Sequence, residues 1–75
     1  MAYFRVYLDY KTPEHAGAGG MFQVISITDE DEKDHTHLVN QGTLYPSLAS
    51  LSKGIAKALG IPPEDVDLEE VEEVN

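Results

Sequence analysis

The sequence predicts an α+β fold in which a three-stranded antiparallel meander precedes one helix and a possible short fourth strand. Three observations predict it. Apolar and polar residues alternate along 3–10, glycines and a proline interrupt 11–20, and from residue 46 apolar residues recur at steps of three and four. A chain of 75 residues has room for one domain. We place its body at 1–63 and an acidic C-terminal segment at 64–75.

The first two strands are predicted at 3–10 and 21–28. The second is apolar on both of its faces, so we expect it in the centre of the sheet. The charged run 29–34 is typical of a hairpin turn, and 35–40 is predicted as the third strand. Alternation divides the first strand into an inner and an outer set, namely Phe4, Val6, Leu8 and Tyr10 against Tyr3, Arg5, Tyr7 and Asp9.

The helix is predicted at 46–59. Pro46 suits a first helical turn, and Gly60 suits the position after the last one. Further along, Val66 and Leu68 alternate as in a strand, although a helical turn is also compatible with this stretch. We favour a strand at 65–70 followed by a frayed end. The apolar stripe of the helix consists of Leu48, Leu51, Ile55 and Leu59.

The net charge of −9 is concentrated at one end of the chain. Residues 64–75 contain seven acids and no base, whereas residues 1–63 contain seven acids and five bases, a balance of −2. Without a basic stripe, direct nucleic-acid binding is disfavoured. The acids either attract a basic protein partner or only keep the chain soluble. They are Glu64, Asp65, Asp67, Glu69, Glu70, Glu72 and Glu73.

A single helix covers only one face of such a sheet. The other face would carry Tyr3, Arg5 and Tyr7, residue types enriched in protein interfaces. An ordinary solvent-exposed face is the alternative. Because the chain is short and has no cysteine, a homodimer that adds buried surface also remains open. No apolar run approaches a membrane span, and we expect a cytoplasmic protein.

The order and spacing of these elements resemble the N-terminal half of ribonuclease H. That family has a first strand ending in a metal-binding Asp, a Gly-Gly-aromatic second strand, a third strand, and then a helix. The resemblance puts Asp9 at the metal position, and Ser47 stands where the family has a helical Glu. The remaining matching segments are 17–20, 22–28, 58–61 and 66–68.

The resemblance implies a nuclease site that this sequence fills only in part. Two-metal cleavage needs several carboxylates around Mg²⁺ or Mn²⁺. Only Asp9 matches, because Ser47 replaces the Glu and Glu70 or Val71 falls near the next Asp. A nuclease remnant would therefore have to act as a dimer or within a complex.

The sequence also resembles HicB-like antitoxins, which have a truncated version of the same fold and block a small basic ribonuclease toxin. The matching segments are 19–22, at the start of the second strand, and 40–43, just before the helix. Size and acidity agree with this class. The DNA-binding segment that usually follows the domain has no counterpart in the acidic segment 64–75, so that role is not implied.

One other metal site is considered. His35 and His37 are two residues apart on the predicted third strand, so both would face the same side near a carboxylate such as Asp34. Two solvated histidines that titrate near neutral pH are the alternative.

Together these observations predict a non-catalytic interaction module, antitoxin-like or inhibitory, that needs no cofactor. It would bind a basic partner such as a toxin or a nucleic-acid enzyme. A metal-dependent nuclease remnant and an acidic mimic of nucleic acid are the alternatives.

Overall fold

The computed structural model describes residues 1–17, 19–40 and 42–71. The chain is an α+β domain with one four-stranded sheet in the order β3-β2-β1-β4. β1 pairs antiparallel with β2 and parallel with β4, so the sheet is mixed and not a simple meander. The elements are β1 (Ala2–Asp9), α1 (Lys11–His15), β2 (Phe22–Thr28), β3 (Leu44–Tyr45), α2 (Leu48–Leu59) and β4 (Val66–Val71), with 3₁₀ turns at Thr36–Leu38 and Pro63–Asp65.

β2 lies inside the sheet, between β3 and β1, as its apolar character predicted. Its pairing with β1 is interrupted by a β-bulge, because Tyr7 faces Ser26 while Leu8 faces Val24. Ile25 is the extra residue and is 43% exposed. A bulge shifts the side-chain alternation by one residue. This shift explains why apolar residues occur at both even- and odd-numbered positions of the strand.

The core lies between the sheet and α2. Val6, Ile27, Leu51 and Ile55 have no exposed surface, so β1, β2 and α2 all contribute fully buried side chains. Burying each such side chain contributes about 1.5–3 kcal/mol relative to leaving it exposed. The complete buried cluster is Phe4, Val6, Phe22, Val24, Ile27, Leu51 and Ile55.

The helix is confirmed, with a later start than predicted. Ser47 is the N-cap, and its Oγ accepts a hydrogen bond from the Ser50 backbone N–H at 3.2 Å. Pro46 therefore precedes the cap and is not part of the first turn. Gly60 ends the helix as predicted, in the left-handed conformation with φ 74°. Within the described ranges, no helix is long and apolar enough to cross a membrane.

The prediction of a third strand at 35–40 is wrong. After the 29–34 turn the chain makes one bridge, Thr28 to Asp34, and then enters the Thr36–Leu38 turn. The Thr36 Oγ1 accepts the hydrogen bond of the Ile27 backbone N–H, which a third strand would otherwise satisfy with a carbonyl. The pairing resumes only at β3, which has two residues.

The predicted loop 11–20 contains the short helix α1. The Asp9 side chain accepts hydrogen bonds from the backbone N–H groups of Lys11 and Thr12 at 2.9 and 3.2 Å. These groups begin the helix and have no partner within it. Pro13 is buried, so α1 is anchored by packing as well as by Asp9.

The predicted fourth strand is confirmed at Val66–Val71, one residue later than expected at each end. It runs parallel to β1, and α2 forms the crossover that carries the chain from β3, at one edge of the sheet, to β4 at the other. The first part of the acidic C-terminal segment therefore belongs to the sheet. Glu72 and Glu73 lie outside the described residues.

We expect Ser47→Ala to lower the free energy of unfolding by about 1 kcal/mol, because the Ser50 amide loses its acceptor. Ser47→Asp should retain most of the stability. Ser50→Ala is the matched control, since it keeps the backbone N–H of the cap. Urea denaturation followed by circular dichroism measures all three, and equal losses for Ser47→Ala and Ser50→Ala would contradict a capping role.

Candidate protein-interaction surface

The parallel register of β1 and β4 brings two separately predicted groups of residues together. Arg5 faces Glu69, and Tyr3 faces Asp67. These side chains alternate with buried Phe4, so they lie on the sheet face opposite α2. We call this surface the outer face and define it as Tyr3, Arg5, Tyr7, Asp67 and Glu69.

Glu69 is the acceptor at the centre of the outer face. The Tyr3 hydroxyl donates a hydrogen bond to its Oε1 at 2.5 Å, and the Arg5 Nε lies 3.9 Å from the same oxygen. The hydrogen bond to Glu69 raises the pKa of Tyr3 above its ordinary value, with desolvation as the second cause. The Arg5 and Glu69 side chains are 38% and 55% exposed, so their ion pair contributes little to stability.

Glu70 contacts Tyr10, a residue that the sequence analysis placed in the first strand but did not include among the binding residues. The Tyr10 hydroxyl donates to both carboxylate oxygens of Glu70, at 3.1 and 3.0 Å. The Tyr10 ring also lies 5.5 Å from the Phe22 ring, centroid to centroid. Desolvation, followed by the hydrogen bond to Glu70, raises the pKa of Tyr10. In the sequence, only the position of Tyr10 at the end of the first strand pointed to a contact with the acidic segment. The contact itself depends on the β1–β4 register.

The acids of the C-terminal segment thus fall into two groups. Glu69 and Glu70 accept hydrogen bonds from tyrosines. Within the described part of the chain, the exposed carboxylates of Glu64, Asp65 and Asp67 accept none. The outer face and the adjoining Pro63–Asp65 turn therefore present exposed negative charge beside two tyrosines and one arginine.

The candidate metal ligands are engaged in other contacts. Asp9 binds the start of α1, and its pKa is lowered first by the Thr12 side chain and then by backbone N–H groups. In residues 1–17, 19–40 and 42–71, no three His, Cys, Asp or Glu side chains are grouped so as to hold a metal ion. Ser47, at the position of the family's helical Glu, is the α2 cap.

The two histidines do not share a strand face as predicted, since the third strand does not form at 35–40. His35 instead pairs with Asp29 at 2.8 Å, between Nε2 and Oδ2, and its ring meets the edge of Phe4. The centroid of the His37 ring is 6.1 Å from that of His35. Because His35 contacts both Asp29 and the buried Phe4, it tethers the 29–34 turn to the core. The hydrogen bond from His35 is the largest cause of the lowered pKa of Asp29.

We expect the Tyr3 hydroxyl to titrate above its ordinary pKa of 10.0 and to return toward it in Glu69→Gln, which removes the charge but keeps an acceptor. Because the folded pKa is raised, the contribution to stability is fully present below the unfolded pKa. It is lost as the pH rises through the folded value. NMR titration of the tyrosine rings, with Tyr3→Phe to assign the resonance, measures this. An unchanged Tyr3 pKa in Glu69→Gln would contradict the contact.

Asp9→Asn should remove part of the acid sensitivity of the fold while keeping an oxygen for the α1 amides. The pKa of Asp9 is lowered in the folded chain, so its contribution is present above the unfolded pKa and lost as the pH falls through the folded one. Denaturation measured across the acid range tests this, with Asp65→Asn as the control. Equal pH profiles for Asp9→Asn and the wild type would contradict it.

The chain matches no family model, no curated protein and no solved structure. The resemblance to ribonuclease H and to HicB-like antitoxins therefore rests on short motifs and on the order of elements, and it stays a prediction.

Proposed function

We propose that this chain is a non-catalytic interaction module that binds a basic protein through the outer face and inhibits it. One observation supports this most directly, the parallel register that sets Arg5 beside Glu69 and Tyr3 beside Asp67. The register joins aromatic and acidic residues into one continuous surface. Neither group alone distinguishes an interface from an ordinary solvated sheet face.

The chemistry of this surface suits a protein partner with lysines and arginines. Tyrosines are frequent anchors of protein interfaces, because they bury a large ring and keep a polar hydroxyl. Exposed acids such as Asp67 speed the approach of a positively charged partner and select against acidic ones. The tyrosines would supply most of the affinity and the acids most of the selectivity.

The area of the sheet indicates how the partner must be placed. Four strands about 4.8 Å apart, of which β3 is about 7 Å long and the others about 20 Å or longer, give a face of roughly 350 Å². A stable interface buries about 800 Å² on each partner. The partner therefore extends beyond the outer face, and the acidic Pro63–Asp65 turn lies directly before β4.

An antitoxin or a related inhibitor is the class that fits best. Apart from the short helix α1 between β1 and β2, the order β1, β2, β3, α2, β4 is the one that the resemblance to HicB-like proteins implies. In that class the partner is a small basic ribonuclease, which the charge of this surface would attract. Inhibition would follow if the partner's positive substrate-binding surface were covered by the acids.

The proposal is tested by capture from a lysate of the source cells on immobilised wild-type and variant chains. The wild type should retain a lysine- and arginine-rich protein, identified by mass spectrometry. Tyr7→Ala and the pair Asp67→Asn with Glu69→Gln should each weaken its capture about tenfold or more. Lys57→Gln, on the exposed side of α2, is the control. Capture that is equal in all variants would contradict binding through the outer face.

A second assay separates this proposal from the nuclease alternative. Purified chain with Mg²⁺ or Mn²⁺ is incubated with an RNA–DNA hybrid, and no cleavage above the buffer control is expected. Cleavage that disappears in Asp9→Asn would assign catalysis to the metal position and would overturn the non-catalytic proposal.

A further inference from the structure

The sheet has two edges of very different length. β3, at one edge, has two residues and directly precedes Pro46, so it offers almost no pairing surface. β4, at the other edge, has six residues, all of them paired with β1. The backbone N–H at the C-cap, Val66, donates to the Pro63 carbonyl. Among the described residues, no other backbone hydrogen bond outside the β1 pairing involves 66–71. Since alternate residues of a strand direct their N–H and C=O groups to opposite sides, half of β4 faces outward and is available for pairing.

Over residues 66–69 the side chains of β4 differ sharply between the two sheet faces, whereas at its end Glu70 falls on the α2 side and Val71 on the outer face. Val66 and Leu68 point toward α2, pack against the core cluster and are only half-buried, because no strand lies beyond them. Asp67 and Glu69 point to the outer face and are exposed. A strand added beside β4 would place alternate residues next to the acids and next to the apolar side chains.

This pattern selects the chemistry of the added strand. A second copy of the chain paired through β4 would bring Asp67 and Glu69 of one chain close to the same acids of the other, and like charges on adjacent strands are destabilising. A strand in which lysine or arginine alternates with apolar residues would meet opposite charge on the outer face. On the other face it would cover Val66 and Leu68.

We propose that β4 is the docking edge for an extended segment of the basic partner, in which basic and apolar residues alternate. The inference rests on the proposed function and adds the mode of recognition, in which backbone hydrogen bonds along β4 supply affinity and the alternating side chains supply specificity. It also supplies interface area that the outer face alone lacks.

The test uses the wild-type chain and synthetic six-residue peptides with capped ends, so no variant has to fold. The first peptide alternates lysine and valine. Two others carry N-methyl groups on all lysines or on all valines, which blocks the N–H groups on one side of the strand or the other. A fourth, of equal composition, has three lysines followed by three valines. Binding is measured by NMR titration, and amide hydrogen exchange follows residues 66–71.

We expect the alternating peptide to bind and one N-methylated peptide to bind at least about tenfold more weakly, while the other retains binding. Only hydrogen bonding along one side of the peptide produces this asymmetry. The block peptide should bind more weakly than the alternating one. Protection from exchange should increase at alternate amides of β4.

Three results would overturn the docking edge. The first is equal binding of all four peptides. If the double variant Asp67→Asn with Glu69→Gln then bound all of them more weakly, the peptides would bind through the acidic charge and not by pairing with the edge of β4. The second is no binding of the alternating peptide, in which case the capture experiment still decides the proposed function by itself. The third is protection of β4 that increases with protein concentration in the absence of peptide, which would assign the edge to a second copy.

Discussion

The parallel pairing of β1 with β4 is the constraint on which the rest of this structure depends. β4 runs parallel to β1 at the edge opposite β3, so after β3 the chain must cross over the sheet to reach it, and α2 is that crossover. The helix packs its apolar stripe against one face of the sheet and does not cover the opposite face. The same pairing brings the acidic end of the sequence beside the strand that carries Tyr3, Arg5 and Tyr7.

An acidic edge strand needs compensation within the chain, and most of it comes from neutral donors. Tyr3 and Tyr10 donate hydroxyl hydrogen bonds to Glu69 and Glu70, whereas the ion pair of Arg5 is long and exposed. A tyrosine orders a carboxylate without cancelling its charge. Glu69 thus keeps its negative charge on the outer face in a defined position, which would lower the entropic cost of binding the proposed partner, whereas Glu70 lies on the α2 side of the sheet.

The features that could be predicted from the sequence depend on local signals. The stripe, cap and terminating glycine of α2 lie within the helix or next to it, and Val66 and Leu68 mark β4 by alternation. The third strand was misplaced because the Thr36 hydroxyl takes the hydrogen bond of the Ile27 amide, a contact across the turn that the residue pattern of 35–40 does not encode. The candidate site was predicted as residue types on two separate surfaces. Their union required the register of two strands whose paired residues are 64 apart in sequence, and alternation within each strand carries no information about that register.

The bulge in β2 has a consequence for the shape of the molecule. If Ile25 were removed, Phe22, Val24 and Ile27 would alternate regularly and would still all point inward, so the extra residue is not needed to fill the core. The inserted residue bends the strand locally and increases the right-handed twist of the strand pair. The sheet is thereby curved where Tyr7 and Ser26 meet, and a rigid flat partner would touch only part of it. A protein that bound the outer face would therefore need a surface contour complementary to this curvature.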